Sequence, residues 1–257
     1  MTKYDVNAIA DITCPEAAKK KMPRVVDHLL YLLELHETNA IVLYSSTLSA
    51  QIPRSFAANA FNVFQRGLHQ FEIVRLCALW DHAEPKKENI RTVIELIDHP
   101  DVIESLAQEA ASHWEGIGGH IYNPSGAPEL EAWAAEGIRQ INSECGQEQA
   151  KRTRDELRNA IASTREILAS QRYASMMNLR DKHLAHSLSE TRREQKVGPL
   201  TPMKYGDETA VLNETLPIVE ALYKRVCGAG FSFEDSRDIH RKNAKALWEV
   251  CTFKITE

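Results

Sequence analysis

The segment RSFAANAFNVFQRGLHQFEIVRLCALW, residues 54–80, decides the fold. Phe56, Ala60, Phe61, Phe64, Leu68, Phe71, Val74, Leu76 and Leu79 recur at the three- and four-residue spacing of one helix face, and Gly67 is the single glycine among them. This pattern predicts a long core helix, the longest in the chain. Strand-type alternation is nearly absent on either side of it.

Working outward, Pro53 stops the preceding element. Thr13-Cys14-Pro15-Glu16 reads as a capping box opening a short leading helix; Val25, Val26, Leu29, Leu30, Leu32 and Leu33 form the next apolar face after Pro23. Thr38 is read as the cap of a further helix through Leu48. Downstream, two short helices are expected from Glu88 to Asp98 and from Asp101 to Trp114, joined by His99-Pro100. Gly116, Gly118, Gly119, Pro124, Gly126 and Pro128 then impose a loop. Its GIGGH stretch has neither a preceding strand nor the spacing of a phosphate-binding glycine loop. Helix resumes from Leu130 to Asn142 and again from Gln147 towards Leu188, a run long enough to require a break near Asn178. Gly198, Pro199, Pro202 and Gly206 mark a connection to helices at Asp207 to Cys227 and Glu234 to Cys251, with Gly228 and Gly230 at a C-terminal cap and Ser232 as the next N-cap. The expected architecture is all-α: an irregular up-and-down helical bundle in one domain, residues 1–257, with residues 115–145 as an insertion and the helical pair in 207–257 packing on the bundle.

A chain of 257 residues, 43% hydrophobic and 26% charged, buries roughly 70–75% of its unfolded surface. Its longest apolar run, Ala40-Ile41-Val42-Leu43-Tyr44, is far short of the ~20 residues of a bilayer span, and the polar N-terminus lacks a secretory core, so a cytoplasmic location is expected. Five dispersed cysteines, Cys14, Cys77, Cys145, Cys227 and Cys251, suggest neither a disulfide framework nor a zinc knuckle. Net charge is −5, yet residues 151–196 carry eleven Lys/Arg against six Asp/Glu, a local excess of five. Such a segment either focuses potential on anionic ligands or simply solvates a helix face through Arg152, Arg158 and Arg165.

That basic segment contains Arg180-Asp181-Lys182-His183-Leu184-Ala185-His186. A permanently charged guanidinium beside an imidazole that titrates near neutrality suits phosphate chemistry. At ~100° per residue, six positions separate Arg180 from His186 by about 240°, so they need a helix boundary between them or a second copy of the motif. His183 and His186 do share a helix face, and with Glu190 they admit a metal-ligand reading, although HExxH spacing and a third imidazole are missing. Ser45-Ser46 with His36, and Cys77 with His82, pair nucleophile and base types without an elbow to present them. Trp80, Trp114, Trp133 and Trp248 are too evenly spread for a base-stacking platform, and His69, His99, His113, His120 and His240 have no partner readable from sequence.

Arg180 and His186 match the RxxxxxH form of the Rx4–6H motif of HEPN domains, with a polar residue, Asp181, after the arginine and Leu184-Ala185-His186 closing it. The helix ending Arg75-Leu76-Cys77-Ala78-Leu79-Trp80-Asp81 is similar to one in the abortive-infection, AbiU-type branch of those domains, and Asn89-Ile90 with Val93-Ile94 sits where that branch starts its next helix. The resemblance covers most of residues 24–251. It implies a homodimer whose two motifs share a cleft, and metal-independent endoribonuclease activity with no cofactor. His186 would then be the base or acid, Arg180 would hold phosphate oxygens, Asp181 would orient one of them, and Lys182 and His183 would contact RNA. The alternative is an inactive helical binding or assembly module of a defence system, with control by a protein partner in either case.

Overall fold

Helical periodicity carries the described chain throughout. The computed structural model describes residues 14–115 and 128–255, and every regular element among them is a helix. In order these are α1 (Cys14–Tyr44), α2 (Ser46–Gln51), α3 (Phe56–Leu79), α4 (Ile90–Ile97), α5 (Pro100–Glu115), α6 (Pro128–Ala169), α7 (Gln171–Leu179), a π-helical turn (Arg180–Leu184), α8 (Arg192–Val197), α9 (Asp207–Cys227) and α10 (Phe233–Trp248). The all-α expectation therefore holds. The Thr13 side of the expected capping box, His120 and the glycine-rich stretch from Gly116 to Gly126 lie outside the described residues.

The first 31 described residues form one helix instead of the expected leading helix, helix after Pro23 and further helix from Thr38. Pro23 sits inside α1 and has no N–H for the Lys19 carbonyl; the Cys227 thiol of α9 reaches that oxygen at 3.8 Å. No boundary occurs at Thr38, because the polar residues around it bond sideways to other helices. His36 Nδ1 lies 2.7 Å from Glu72 Oε1 and Asn39 donates to Glu72 Oε2 at 2.5 Å, while Arg237 and Arg241 of α10 donate to Glu37 at 2.6 and 3.1 Å. All four of these α1 and α3 side chains, His36, Glu37, Asn39 and Glu72, are buried, where an unpaired carboxylate would be costly.

One continuous apolar core joins α1, the end of α3, α4, α5, α6, α7 and α9. Leu29 and Leu33 of α1, Leu76 and Trp80 at the end of α3, Leu157 of α6 and Val219 of α9 are all fully enclosed. Trp80 also donates its indole N–H to Thr215 Oγ1 at 3.0 Å, so the largest core side chain is fixed in orientation.

Two expectations about long helices are corrected. The aromatic helix α3 is not the longest, and only its last third, Glu72 to Leu79, enters the core. Phe56 is 95% exposed, and Phe61 and Phe64 pack against Phe253 and Trp248 near the C-terminal end instead. The longest is α6, 42 residues without the interruption expected between Asn142 and Gln147. Gly146 falls within that expected gap, but here it is a contact: a Cβ on it would stand 3.1 Å from the Ala111 carbonyl oxygen of α5. Its missing side chain lets two helices touch, and Ala107, Ala111 and Ala150 complete that seam. Burial in α6 starts at Gly146; residues 128–145 have no buried side chain.

At the C-terminal side, Gly228 takes the left-handed conformation (φ 71°) that ends α9. Ser232 stands at the N-cap of α10 without a side-chain bond; Glu220 accepts the Phe233 N–H at 2.7 Å in its place.

Core and rim predict opposite outcomes for large-to-small substitution. Leu76→Ala should cost about 2–5 kcal/mol, whereas Phe56→Ala should stay within about 0.5 kcal/mol. Urea unfolding followed by circular dichroism, with the midpoint read at unchanged slope, checks both.

Candidate active site

The motif lies where a helix opens out. Ser170 adds a break to the long run, capping α7 by accepting the Tyr173 N–H at 3.1 Å, and the break expected near Asn178 comes at Leu179, where α7 gives way to the π turn. α7 is pinned from below: Tyr173 donates its hydroxyl to the Trp80 carbonyl at 3.0 Å, and Ser175 donates to the Thr201 carbonyl at 2.6 Å. From Arg180 onward the backbone widens in steps. Ala185 N–H bonds to the Arg180 carbonyl, a five-residue return at 2.8 Å, and Leu188 N–H bonds to the Lys182 carbonyl, a six-residue return at 3.0 Å. The helix ends at Leu184, which places a boundary between Arg180 and His186.

Arg180 is fixed by two carboxylates. Its Nε and Nη2 donate to Asp181 Oδ1 at 2.8 and 2.6 Å, and its Nη1 lies 3.5 Å from Asp81 Oδ1. The side chain keeps 18% of its surface, and a guanidinium has donors left after these contacts. Burial works against its charge, but Asp181 and then Asp81 outweigh it and hold the group more firmly protonated than usual. Cys77 lies close below, buried, with its thiol facing the Met176 carbonyl at 3.8 Å; burial pushes it up to about 12. A thiol in that state is no nucleophile, which removes the Cys77–His82 pair. The other alternative pair is structural as well, since Ser45 caps α2 and His36 faces Glu72.

Asp81 is the hub behind the arginine. Lys87 Nζ donates to its Oδ2 at 2.8 Å, and both the backbone N–H and the ring Nδ1 of His82 lie 3.0 Å from its Oδ1. Glu84 closes the cluster against the other ring nitrogen of His82 and against Lys87. Burial favours the neutral Asp81, yet the Lys87 and His82 hydrogen bonds prevail and bring its carboxyl down to about 2. Asn89 donates to the Asp81 carbonyl at 3.2 Å, and Lys21 ties the same loop to α1 through the Pro85 and Lys87 carbonyls. Sequence spacing gave no sign that Asp81 meets Arg180; the only clue was its place at the end of the aromatic helix.

Beyond the π turn, both ends of the loop carrying His186 are clamped. Lys182 Nζ donates to the buried Glu194 at 2.9 Å, Asn178 donates to the same oxygen at 3.2 Å and accepts from Thr191 at 2.5 Å, and Thr191 and Glu194 form a reciprocal capping box. The Thr191 amide, followed by Lys182 and Asn178, brings Glu194 to about 2. Lys182 is therefore engaged within the chain. His186 is exposed and makes no hydrogen bond or ion pair among the described residues. His183, also exposed, lines a groove of about 410 Å³ with Arg66, His69, Leu179, Met203 and Tyr205. His183, His186 and Glu190 do not converge: among the described residues no three His, Cys, Asp or Glu side chains are grouped to hold a metal.

Much of the local positive excess is offset from outside the segment. Arg154 donates twice to Glu104 of α5, Arg165 to Asp98, and Arg172 to Glu214 of α9, while Arg152 pairs with Glu148 within α6. No helix among the described residues is long and apolar enough to cross a membrane.

Compared with known proteins, the chain matches the family model HEPN_AbiU2, described as AbiU2, over residues 22–247. No curated protein and no solved structure matches it.

The depressed carboxyls set the acid side of stability. Asp81 has its usual value of 3.8 when unfolded and about 2 when folded, so its contribution is complete above about pH 4 and is lost as pH falls through about 2. Asp81→Asn should flatten that part of the stability curve, the slope that remains coming from the other depressed carboxyls, Glu194, Glu37 and Glu208 among them. Unfolding midpoints measured at stepped pH between neutrality and pH 2 would show it; an unchanged slope would contradict the assignment.

Proposed function

This chain belongs to the AbiU2 family of HEPN domains, an abortive-infection-related group, and on that premise we propose that it is a metal-independent endoribonuclease acting in phage defence or a toxin-like system. What carries the reading is one arrangement: Arg180 held open-handed between Asp181 and Asp81 on a π turn, with an unpartnered, exposed His186 on the clamped loop that follows.

The chemistry needs only RNA itself as the second reactant. The 2′-oxygen attacks the adjacent phosphorus, the bond to the 5′-oxygen breaks, and a 2′,3′-cyclic phosphate and a 5′-hydroxyl result. A proton leaves the 2′-hydroxyl and one arrives on the departing 5′-oxygen; His186 takes or delivers it. Arg180 stabilises the charge that gathers on the non-bridging oxygens, through donors that Asp181 and Asp81 leave unused. Asp181 orients Arg180 through its two hydrogen bonds. Lys182 acts on RNA only by sharing or leaving Glu194, so its first role is to hold the loop, and His183 faces the neighbouring groove. One imidazole cannot be base and acid in the same instant, so a second copy of the chain, pairing as a homodimer with both motifs in one cleft, supplies the other. The cytoplasm, where RNA is present, is the working compartment, and a partner protein keeps the activity in check; purification from native cells that yields the chain alone would remove the partner from the scheme.

His186→Ala should abolish cleavage of total RNA while leaving the circular dichroism spectrum and the mass in light scattering unchanged. Arg180→Ala should lower kcat by about 10²–10³-fold. Cleavage by the unaltered chain should persist in chelator, leave DNA intact and give cyclic-phosphate ends. Cleavage retained by His186→Ala rejects the assignment, and no cleavage by any preparation leaves the chain as a helical binding module.

A further inference from the structure

The groove beside the motif has the features of a built site. Tyr205 is 77% exposed, yet its ring is stacked on His69 with centroids 5.0 Å apart and planes within 17°. His69 is backed in turn by Glu208, 3.5 Å from its Nε2. Glu208 is buried and also accepts from the Tyr44 hydroxyl at 3.2 Å and the Gly206 N–H at 3.0 Å. Gly206, at φ 92°, turns the chain directly after Tyr205 in a conformation that other residues rarely adopt. An exposed ring adds little to a core. Here His69, itself backed by Glu208, holds one in place and leaves its outer face uncovered.

Around this stack lie two cavities of about 410 and 360 Å³, both bordered by Arg66, His69 and Tyr205. Neither is lined by a carboxylate, although the whole chain carries a net charge of −5. Arg66 and the Lys204 side chain have no ion-pair partner among the described residues, whereas Arg154 and Arg165 of α6 are each held by a carboxylate. Gln70 stands on the first cavity and Asn62 on the second, each able to donate to and accept from a base edge. The first cavity reaches the π turn through Leu179, His183 and Leu184.

We propose that this groove is a subsite for single-stranded RNA, in which unpaired bases stack on the Tyr205–His69 platform while Arg66 and Lys204 take the flanking phosphates. The choice of RNA as the strand rests on the ribonuclease reading above. An aromatic face accepts any base, rim cations follow the backbone, and both need bases that are already out of a duplex. The groove feeds the strand past His183 towards Arg180 and His186, which gives the motif a substrate whose bases are splayed before the 2′-oxygen is aligned.

The test uses the full chain carrying His186→Ala, so that the probe survives, and short fluorescein-labelled oligouridylate and oligoadenylate read by anisotropy. Tyr205→Ala should weaken binding by roughly 5- to 150-fold, Tyr205→Leu, which keeps apolar bulk without a ring, should do the same, and Tyr205→Trp should bind as well as tyrosine. Arg66→Ala and Lys204→Ala should each reduce the slope of log affinity against log salt by about 0.7. A duplex of the same length should bind without regard to residue 205. Binding unaltered by Tyr205→Ala and Tyr205→Leu, the same loss with duplex, or no single-strand binding at all overturns the subsite. The two readings fail separately: cleavage by the unaltered chain with Tyr205-independent binding removes the platform alone, and Tyr205-dependent binding without cleavage of any RNA removes the nuclease alone.

Discussion

A regular α-helix sends residues six apart to different sides of its axis, so an arginine and a histidine at that spacing meet only across a helix boundary or through a second copy of the motif. After Arg180 the backbone leaves the regular helix, its hydrogen-bond returns lengthening from four to five to six residues. Widened turns of this kind are held by their surroundings. Asp181 and Asp81 fix the first residue of the turn, while Glu194, through Lys182, Asn178 and Thr191, fixes the loop beyond it. Tyr173 and Ser175 anchor α7 below, and the core that Trp80 closes holds Tyr173 in turn.

Buried carboxylates do the lateral work elsewhere in the bundle. Glu72 joins α3 to α1, Glu37 joins α1 to α10, and Glu208 supports the Tyr205–His69 stack, each with its hydrogen bonds supplied by neighbouring elements. Breaking such a pair leaves a charge with no water around it, which costs several times what a surface pair contributes. The acidic balance of the sequence is therefore partly an interior property. Outside, the groove beside Tyr205 carries Arg66 and Lys204 and no carboxylate.

The all-α class and the placement of α4, α5 and α9 were legible because apolar spacing and turn residues agree along those segments. Angle alone asked for a boundary between Arg180 and His186 or a second copy of the motif, and the turn that ends at Leu184 is such a boundary. Thr38 misleads because residues that cap helices also hydrogen-bond sideways, and next to His36 and Asn39 that second use prevails. Gly146 misleads because a glycine reads the same whether it frees a turn or admits a neighbour, and only the position of Ala111 decides. Stripe periodicity in α3 reports a potential to be buried, which Phe56 and Phe64 do not realise. Asp81 against Arg180 and Tyr205 against His69 join residues far apart in the chain through folding of the intervening helices, and neither pair leaves a trace in local spacing.

The contact between Gly146 and Ala111 also serves as a fixed datum along the bundle. Sliding α6 by one turn would bring the Asn142 or Ala150 side chain to the Ala111 carbonyl, where there is room for none. The axial position of α6 is thereby notched at a single point, and its far end at Ala169 lies about 35 Å away at 1.5 Å per residue. Burial continues from Gly146 to Ile167, and Ser170, α7 and the opened turn follow directly, so a small enlargement at Gly146 would be felt along that packed face as a misalignment of groups it never touches.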